Sequence, residues 1–194
     1  MVKEQHGLVL VNEVTTGLGR TGEWFGYQHY DISPDIIAMG KGIGNGFPVS
    51  VTAFATDVIS RLGGKPVMYA QSHLNDPLGA AIAGEVVRTI REERLIERGR
   101  KISSILITGL EKIKERTNRI IEMRARGLMV ALELKDDSKA SFTAHVHREL
   151  VNCGYVLAQR PGLNVLRLDP SLTIGRKDIE SFLEILEKVL TRSN

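Results

Sequence analysis

Cysteine is nearly absent from this sequence: Cys153 stands alone among 194 residues, which excludes an intrachain disulfide framework and suits a reducing cytosol. Long apolar runs are missing too. No stretch approaches the length of a membrane-spanning helix, and no basic segment followed by an apolar one opens the chain as a secretory leader would. Nor is there a surplus of charge. The 26 basic and 23 acidic residues leave a net charge of +3 and are interleaved, as in "IREERLIERGRK", which reads as a solvated helix face rather than a nucleic-acid surface. Internal repeats and low-complexity tracts are lacking. What remains is the composition of an ordinary globular protein, 42% apolar and 25% charged, with room for one large domain or two small ones. A soluble, cytoplasmic protein is the expectation, with Cys153 packed inside because it precedes Gly154 in an apolar helical pattern.

A leading helix is also lacking. "MVKEQHGLVLVNE" reaches an apolar strand at once, and a parallel strand buried on both faces needs neighbours and crossover helices. The chain reads as though cut from the middle of something larger. Leu8 to Val11 is expected as a central strand, Ile36 to Met39 as a second, and Ser50 to Ala55 as a third. In "NDPLGAAIAGEVVRTI" Asp76 has the chemistry of an N-cap, Pro77 suits the first helical position, and Leu78, Ile82, Val86 and Ile90 recur every fourth residue. A second long helix is expected from Leu95 to Thr117, with Ile102, Leu106, Leu110 and Ile113 on one face. "IIEMRARGLMVALEL" reads as two strands broken near Gly127, and "SFTAHVHRELVNCG" as a helix closed by Gly154. "YVLA" and "NVLRL" read as strands and "KDIESFLEILEKVL" as a terminal helix. His145 and His147, two apart in a helical stretch, point to different faces and make no metal pair.

Two glycine loops precede this α+β stretch. "GLGRTG" puts Gly17, Gly19 and Gly22 in the spacing G-x-G-x-x-G, but a dinucleotide loop must open a helix so that the pyrophosphate meets its N-terminus. Here "EWFGYQHYDISPD" comes next, aromatic and without helical periodicity. "GKGIGNG" lacks the Ser/Thr after its lysine and the glycine spacing of a P-loop. Lys41 matters for a different reason. Burial at the end of an apolar strand lowers a lysine pKa, and a neutral amine attacks carbonyls to give a Schiff base. Flanking glycines let backbone and a planar ligand approach closely. A plain turn lysine is the alternative.

In order along the chain, "VNEVTTGLGRTG", "DIIAMGKGIGNGFPVS", "SHLNDPLGAAIA", "RGLMVALEL" and "NVLRLDPSLTI" resemble the class III (ornithine/4-aminobutyrate type) aminotransferases. These are pyridoxal-phosphate enzymes of the fold-type I group. The resemblance implies an α/β fold in which residues 1–94 form the C-terminal part of the cofactor-binding large domain and residues 95–194 a small C-terminal α+β domain. It implies pyridoxal 5'-phosphate as cofactor, an amino-acid or ω-amino donor and a 2-oxo acid as substrates, and a homodimer. By position, Lys41 is the Schiff-base lysine that later shuttles protons, and Val14 packs on the pyridine ring. Thr15 stands where the family usually has a glutamine near the ring hydroxyl. Ser72 aligns with a threonine that binds the cofactor phosphate across the dimer interface. Arg167 aligns with the arginine that grips the substrate carboxylate, a structural ion pair being the alternative. Asn12 replaces the family's aspartate, whose negative charge keeps the ring nitrogen protonated. Asparagine can donate a hydrogen bond to an unprotonated nitrogen but supplies no charge. Glu13 has no role beyond a polar contact at the strand end, and His73 reads as an exposed loop histidine. The phosphate-cupping loop and stacking aromatic of the family's first half are not in this sequence. Two readings therefore stand beside each other: an aminotransferase, or a truncated or degenerate homologue acting by association with a partner N-terminal half or as a non-catalytic dimer. Nucleotide binding through "GLGRTG" is a third.

Overall fold

In the computed structural model, residues 2–61, 63, 70, 72–135 and 141–192 are described. The chain divides into two compact units, Met1–Ile96 and Glu97–Asn194. The architecture is mixed α/β.

The first unit carries a three-stranded sheet in the order β1 (Leu10–Asn12), β2 (Ile36–Met39), β3 (Val51–Phe54). β1 runs parallel to β2, and β3 antiparallel to it. α1 (Thr56–Arg61) follows the sheet, and α2 (Pro77–Glu92) starts where the sequence signals it: the Asp76 side chain accepts a hydrogen bond from the Leu78 N–H, with Pro77 as the first helical residue. Gly79 of α2 lies close under Val49, where a Cβ would come within 3.2 Å of the valine side chain. One expectation is corrected. The Leu8–Val11 run begins its strand only at Leu10, and β2, not β1, is the middle strand. Leu8 and Leu10 are 46% and 59% exposed. Branched aliphatics specify a strand, but burial needs a neighbour, and among the described residues β1 pairs with β2 alone.

The second unit is a two-layer α+β arrangement. α3 (Leu95–Thr117) leads into β4 (Ile120–Arg126) and β5 (Met129–Leu134), which turn on Gly127 at φ +59°. Then come α4 (Ser141–Asn152), β6 (Ala158–Gln159), β7 (Val165–Leu168) and α5 (Arg176–Arg192). The sheet is antiparallel in the order β4-β5-β7-β6. Period-two alternation turns Val130, Leu132, Leu134, Leu166 and Leu168 to one face, where Leu106 and Leu110 of α3, Leu150 of α4 and Leu186 and Leu190 of α5 bury them. Two local expectations fail here. Gly154, at φ +90°, ends α4 with the Tyr155 N–H returned to the Leu150 carbonyl. Cys153 stands in that turn and is exposed, not packed inside. Of "YVLA" only Ala158 is in a strand, and Val156 is 94% exposed. Among the described residues no helix is long and apolar enough to cross a membrane.

Candidate active site

The parallel pair β1–β2 defines the place. In open α/β sheets ligands gather at the carboxyl ends of parallel strands, where loops diverge and backbone groups face outward. Asn12 ends β1 opposite Ala38, and the Glu13 N–H donates to the Ala38 carbonyl at 2.8 Å, so both strands finish level. Val14 and Thr15 follow on one side, and Lys41 follows on the other.

Lys41 opens a single 3₁₀ turn between Gly40 and Gly42 with φ +46°. A side chain in the left-handed region costs about 1–2 kcal/mol and tends to occur where the surroundings fix one geometry for a purpose. Its Nζ donates to the Thr15 hydroxyl at 3.2 Å. The backbone of Gly40, just before Lys41, runs beside the half-buried Val14, whose side chain lies 3.4 Å from where a Cβ would stand. Lys41 is exposed, however, rather than buried as its strand-end position implied. The strand points it outward, and the covering of that end of the sheet is not made by neighbouring described residues.

Asn12 is held by its own turn. Its Oδ1 accepts from the Val14 N–H at 3.1 Å, an Asx turn that commits the oxygen and leaves the amide Nδ2 as the outward donor. The residue between them carries the structural weight. Glu13, 4% exposed, accepts from the Gly26 N–H at 2.9 Å, the Tyr27 N–H at 2.8 Å and the Thr16 hydroxyl. One buried carboxylate thus ties both ends of the 14–25 loop to the end of β1. Sequence reasoning gave Glu13 only a polar contact at the strand end; an acidic residue ending an apolar strand before a glycine-rich loop was the available signal for more. The glycines serve this loop. Gly19 and Gly22 take φ of +88° and +89°, and a Cβ at Gly17 would press on the Glu13 carbonyl at 2.8 Å. The loop runs on into a 3₁₀ turn at Gly26–His29, not the helix a dinucleotide site requires.

Ser72 lies exposed in a turn before α2, next to His73 at φ +66°. His73 is exposed and meets Asp76 at 3.4 Å. Arg167 belongs to the second unit. It points from β7 on the solvent side, and its Nε and Nη2 reach the two carboxylate oxygens of Asp169 at 2.7 and 3.1 Å. His147 meets the Leu157 carbonyl at 3.0 Å, a local tie for α4.

The structure thus brings Asn12, Val14, Thr15 and Lys41 together at one end of a parallel strand pair. An amine, a hydroxyl, an amide donor and an apolar side chain suit, respectively, an aldehyde, a ring hydroxyl, a ring nitrogen and a ring face, so the residues present fit pyridoxal phosphate.

Comparison with known proteins agrees with this chemistry. The class III aminotransferase family model matches residues 1–190. Among curated relatives, a leucine/methionine racemase of Thermococcus litoralis is 32% identical over 97% of this chain and 43% of its own length. An acetylornithine/succinyldiaminopimelate aminotransferase of Buchnera aphidicola is 32% identical over 99% of this chain and 47% of its own. Among solved structures, a transaminase from Virgibacillus superposes with a TM-score of 0.91 at 27% identity, covering 98% of this chain and 46% of that one. An acetylornithine aminotransferase from Elizabethkingia anophelis gives 0.87 at 28%, covering 97% and 46%. The chain belongs to the class III aminotransferase family. That family depends on pyridoxal phosphate. The chain spans about half the length of the curated relatives it matches.

Proposed function

We propose that this chain carries the lysine-bearing half of a pyridoxal-phosphate-dependent aminotransferase that moves an amino group from an amino-acid or ω-amino donor to a 2-oxo acid. The observation that carries the proposal is the Lys41 amine, 3.2 Å from the Thr15 hydroxyl, beside Asn12 at the level ends of β1 and β2 in a chain of this family. Residues 1–94 are read as the C-terminal part of the large domain of a fold-type I subunit, and residues 95–194 as its small domain. The working enzyme is read as cytoplasmic and dimeric.

When bound, the cofactor supplies an aldehyde for amine capture and an electron-accepting ring. This chain's residues do the rest. Lys41 would hold the cofactor through its amine and, when that amine is free, would accept or return the proton at the substrate carbon. Thr15 orients the lysine through its hydroxyl, which would stand near the ring hydroxyl. Val14 would pack on the cofactor ring, Asn12 would donate from Nδ2 to its nitrogen, and Ser72 would offer a hydroxyl to its phosphate across a dimer interface. Arg167 receives the substrate carboxylate.

A second reading is favoured by Asn12 itself: a truncated or degenerate homologue that works by association, either with a partner N-terminal half or as a non-catalytic dimer. Asparagine supplies no charge to hold the ring nitrogen protonated, which slows proton transfer without forbidding cofactor retention. One experiment separates the two. Incubation with pyridoxal phosphate, borohydride reduction and peptide mapping are expected to mark Lys41, with no adduct in Lys41→Ala. Absence of a specific adduct, or an adduct that survives the substitution, overturns the first reading.

A further inference from the structure

Arg167 is not waiting with an open fork. Its Nε and Nη2 are both engaged by Asp169, two residues further along and on the same side of the chain, at 2.7 and 3.1 Å. This is the bidentate geometry by which a guanidinium takes a ligand carboxylate. The neighbours leave room for one. In register, Arg167 pairs with Ala131 on β5 and Ala158 on β6, whose side chains are single methyl groups, and its own side chain is 43% exposed. The other arginine of the same cross-strand row offers no substitute: Arg124, opposite Ala131, is held by Glu122 and by Glu133.

We propose that Asp169 is a built-in competitor for the substrate carboxylate, a specificity-determining residue that sets how strongly Arg167 answers to carboxylate-bearing donors and acceptors. The proposal rests on the reading of Arg167 as the carboxylate receptor. A ligand carboxylate must displace Asp169 from the fork, and the pair is 43% and 31% exposed at its two side chains, so solvent screens it. An exposed ion pair of this kind weakens a competing carboxylate about two- to fivefold. The consequence is selectivity. Amines without a carboxylate lose nothing to Asp169, whereas dicarboxylates and amino acids that depend on Arg167 are handicapped.

The test uses the full chain and glutarate as the carboxylate probe, read by the Arg167 Nε–Hε resonance. The resonance is assigned by its loss in Arg167→Lys. In the wild-type chain it is expected at an ion-paired position that moves in Asp169→Asn, and that variant is expected to bind glutarate about two- to fivefold more tightly. Arg167→Lys combined with Asp169→Asn should cancel the gain. Equal affinity with and without the Asp169 carboxylate, a gain that persists without Arg167, or no measurable binding to either chain overturns the proposal. The lysine trapping experiment is independent of this one. A gain in Asp169→Asn with no adduct at Lys41 retires the aminotransferase reading while leaving the masked fork standing, and an adduct with no gain does the reverse.

Discussion

In the second unit Leu110, Leu132, Leu134, Leu150, Leu166, Leu186 and Leu190 have no exposed surface, and they come from three helices and two strands. Among the described residues of the first unit the buried apolar ones are fewer and scattered, Leu18, Met39, Ile43 and Val58 among them, while Leu8, Leu10, Ile32, Phe54, Ile59 and Leu78 remain exposed. The second unit is organised by apolar packing, and the first by backbone hydrogen bonds gathered on one carboxylate. Asn12, Thr15 and Lys41, the groups proposed to meet the cofactor, sit on the polar framework. The two units are thus held by different forces, so substitutions in them should report on different observables.

The sharpest way to break that comparison is one substitution made twice. Leu132→Ala removes a side chain with no exposed surface and is expected to cost about 2–5 kcal/mol, whereas Leu10→Ala should fall within about 0.5 kcal/mol. Urea unfolding of both variants checks this, and equal losses would mean that the first unit hides a core of its own. Next in size is Glu13→Gln. It keeps the shape but turns an NH₂ group toward backbone donors, at an expected cost of about 1–3 kcal/mol. Faster hydrogen exchange at the Gly26 and Tyr27 amides, with the β5 amides unchanged, is the expected signature.

Asn12→Asp should leave stability nearly unmoved and raise the transamination rate of cofactor-loaded protein by about 10- to 100-fold, because it restores the counter-charge at the ring nitrogen. An unchanged rate in a loaded protein would separate Asn12 from the ring. The smallest effect is expected at Asp76. The Leu78 N–H, and to a lesser degree His73, hold its carboxyl below the usual aspartate range. Its contribution is therefore fully present above about pH 4 and fades as pH falls through the lowered folded value. Protection against exchange in the first turn of α2, taken relative to the intrinsic rate at each pH, should fall as pH drops below about 4, and Asp76→Asn, which keeps a cap oxygen without a titrating proton, should flatten that response.

Local grammar was legible where a few adjacent residues carry the signal. The Asp76-Pro77 start of α2, the extent of α3 from Leu95 to Thr117, the Gly127 turn and the Gly154 helix stop are each set by a few adjacent residues, and each stands where the pattern put it. What covers an element is a different matter. Leu10 is exposed because, among the described residues, β1 pairs with β2 alone, and Lys41 and Cys153 because each stands in a turn beyond the end of its element; apolar periodicity is silent about both circumstances. The site divides the same way. A lysine between glycines is visible in a string of letters, whereas the Glu13 ties to Gly26 and Tyr27 and the Asp169 grip on Arg167 arise only once loop and strand are folded.

The Glu13 clasp has a bearing on how this segment can drift over generations. Two of its partners are main-chain amides, which every residue except proline possesses, so the side chain at Tyr27 is free to change without loosening the grip, whereas Gly17, Gly19 and Gly22 are held by the close approach and positive φ of the loop. The Asn12 turn is similarly indifferent, since it uses one side-chain oxygen that aspartate and asparagine share. A lineage could therefore exchange the charge at position 12 and alter its chemistry while its architecture registered no difference.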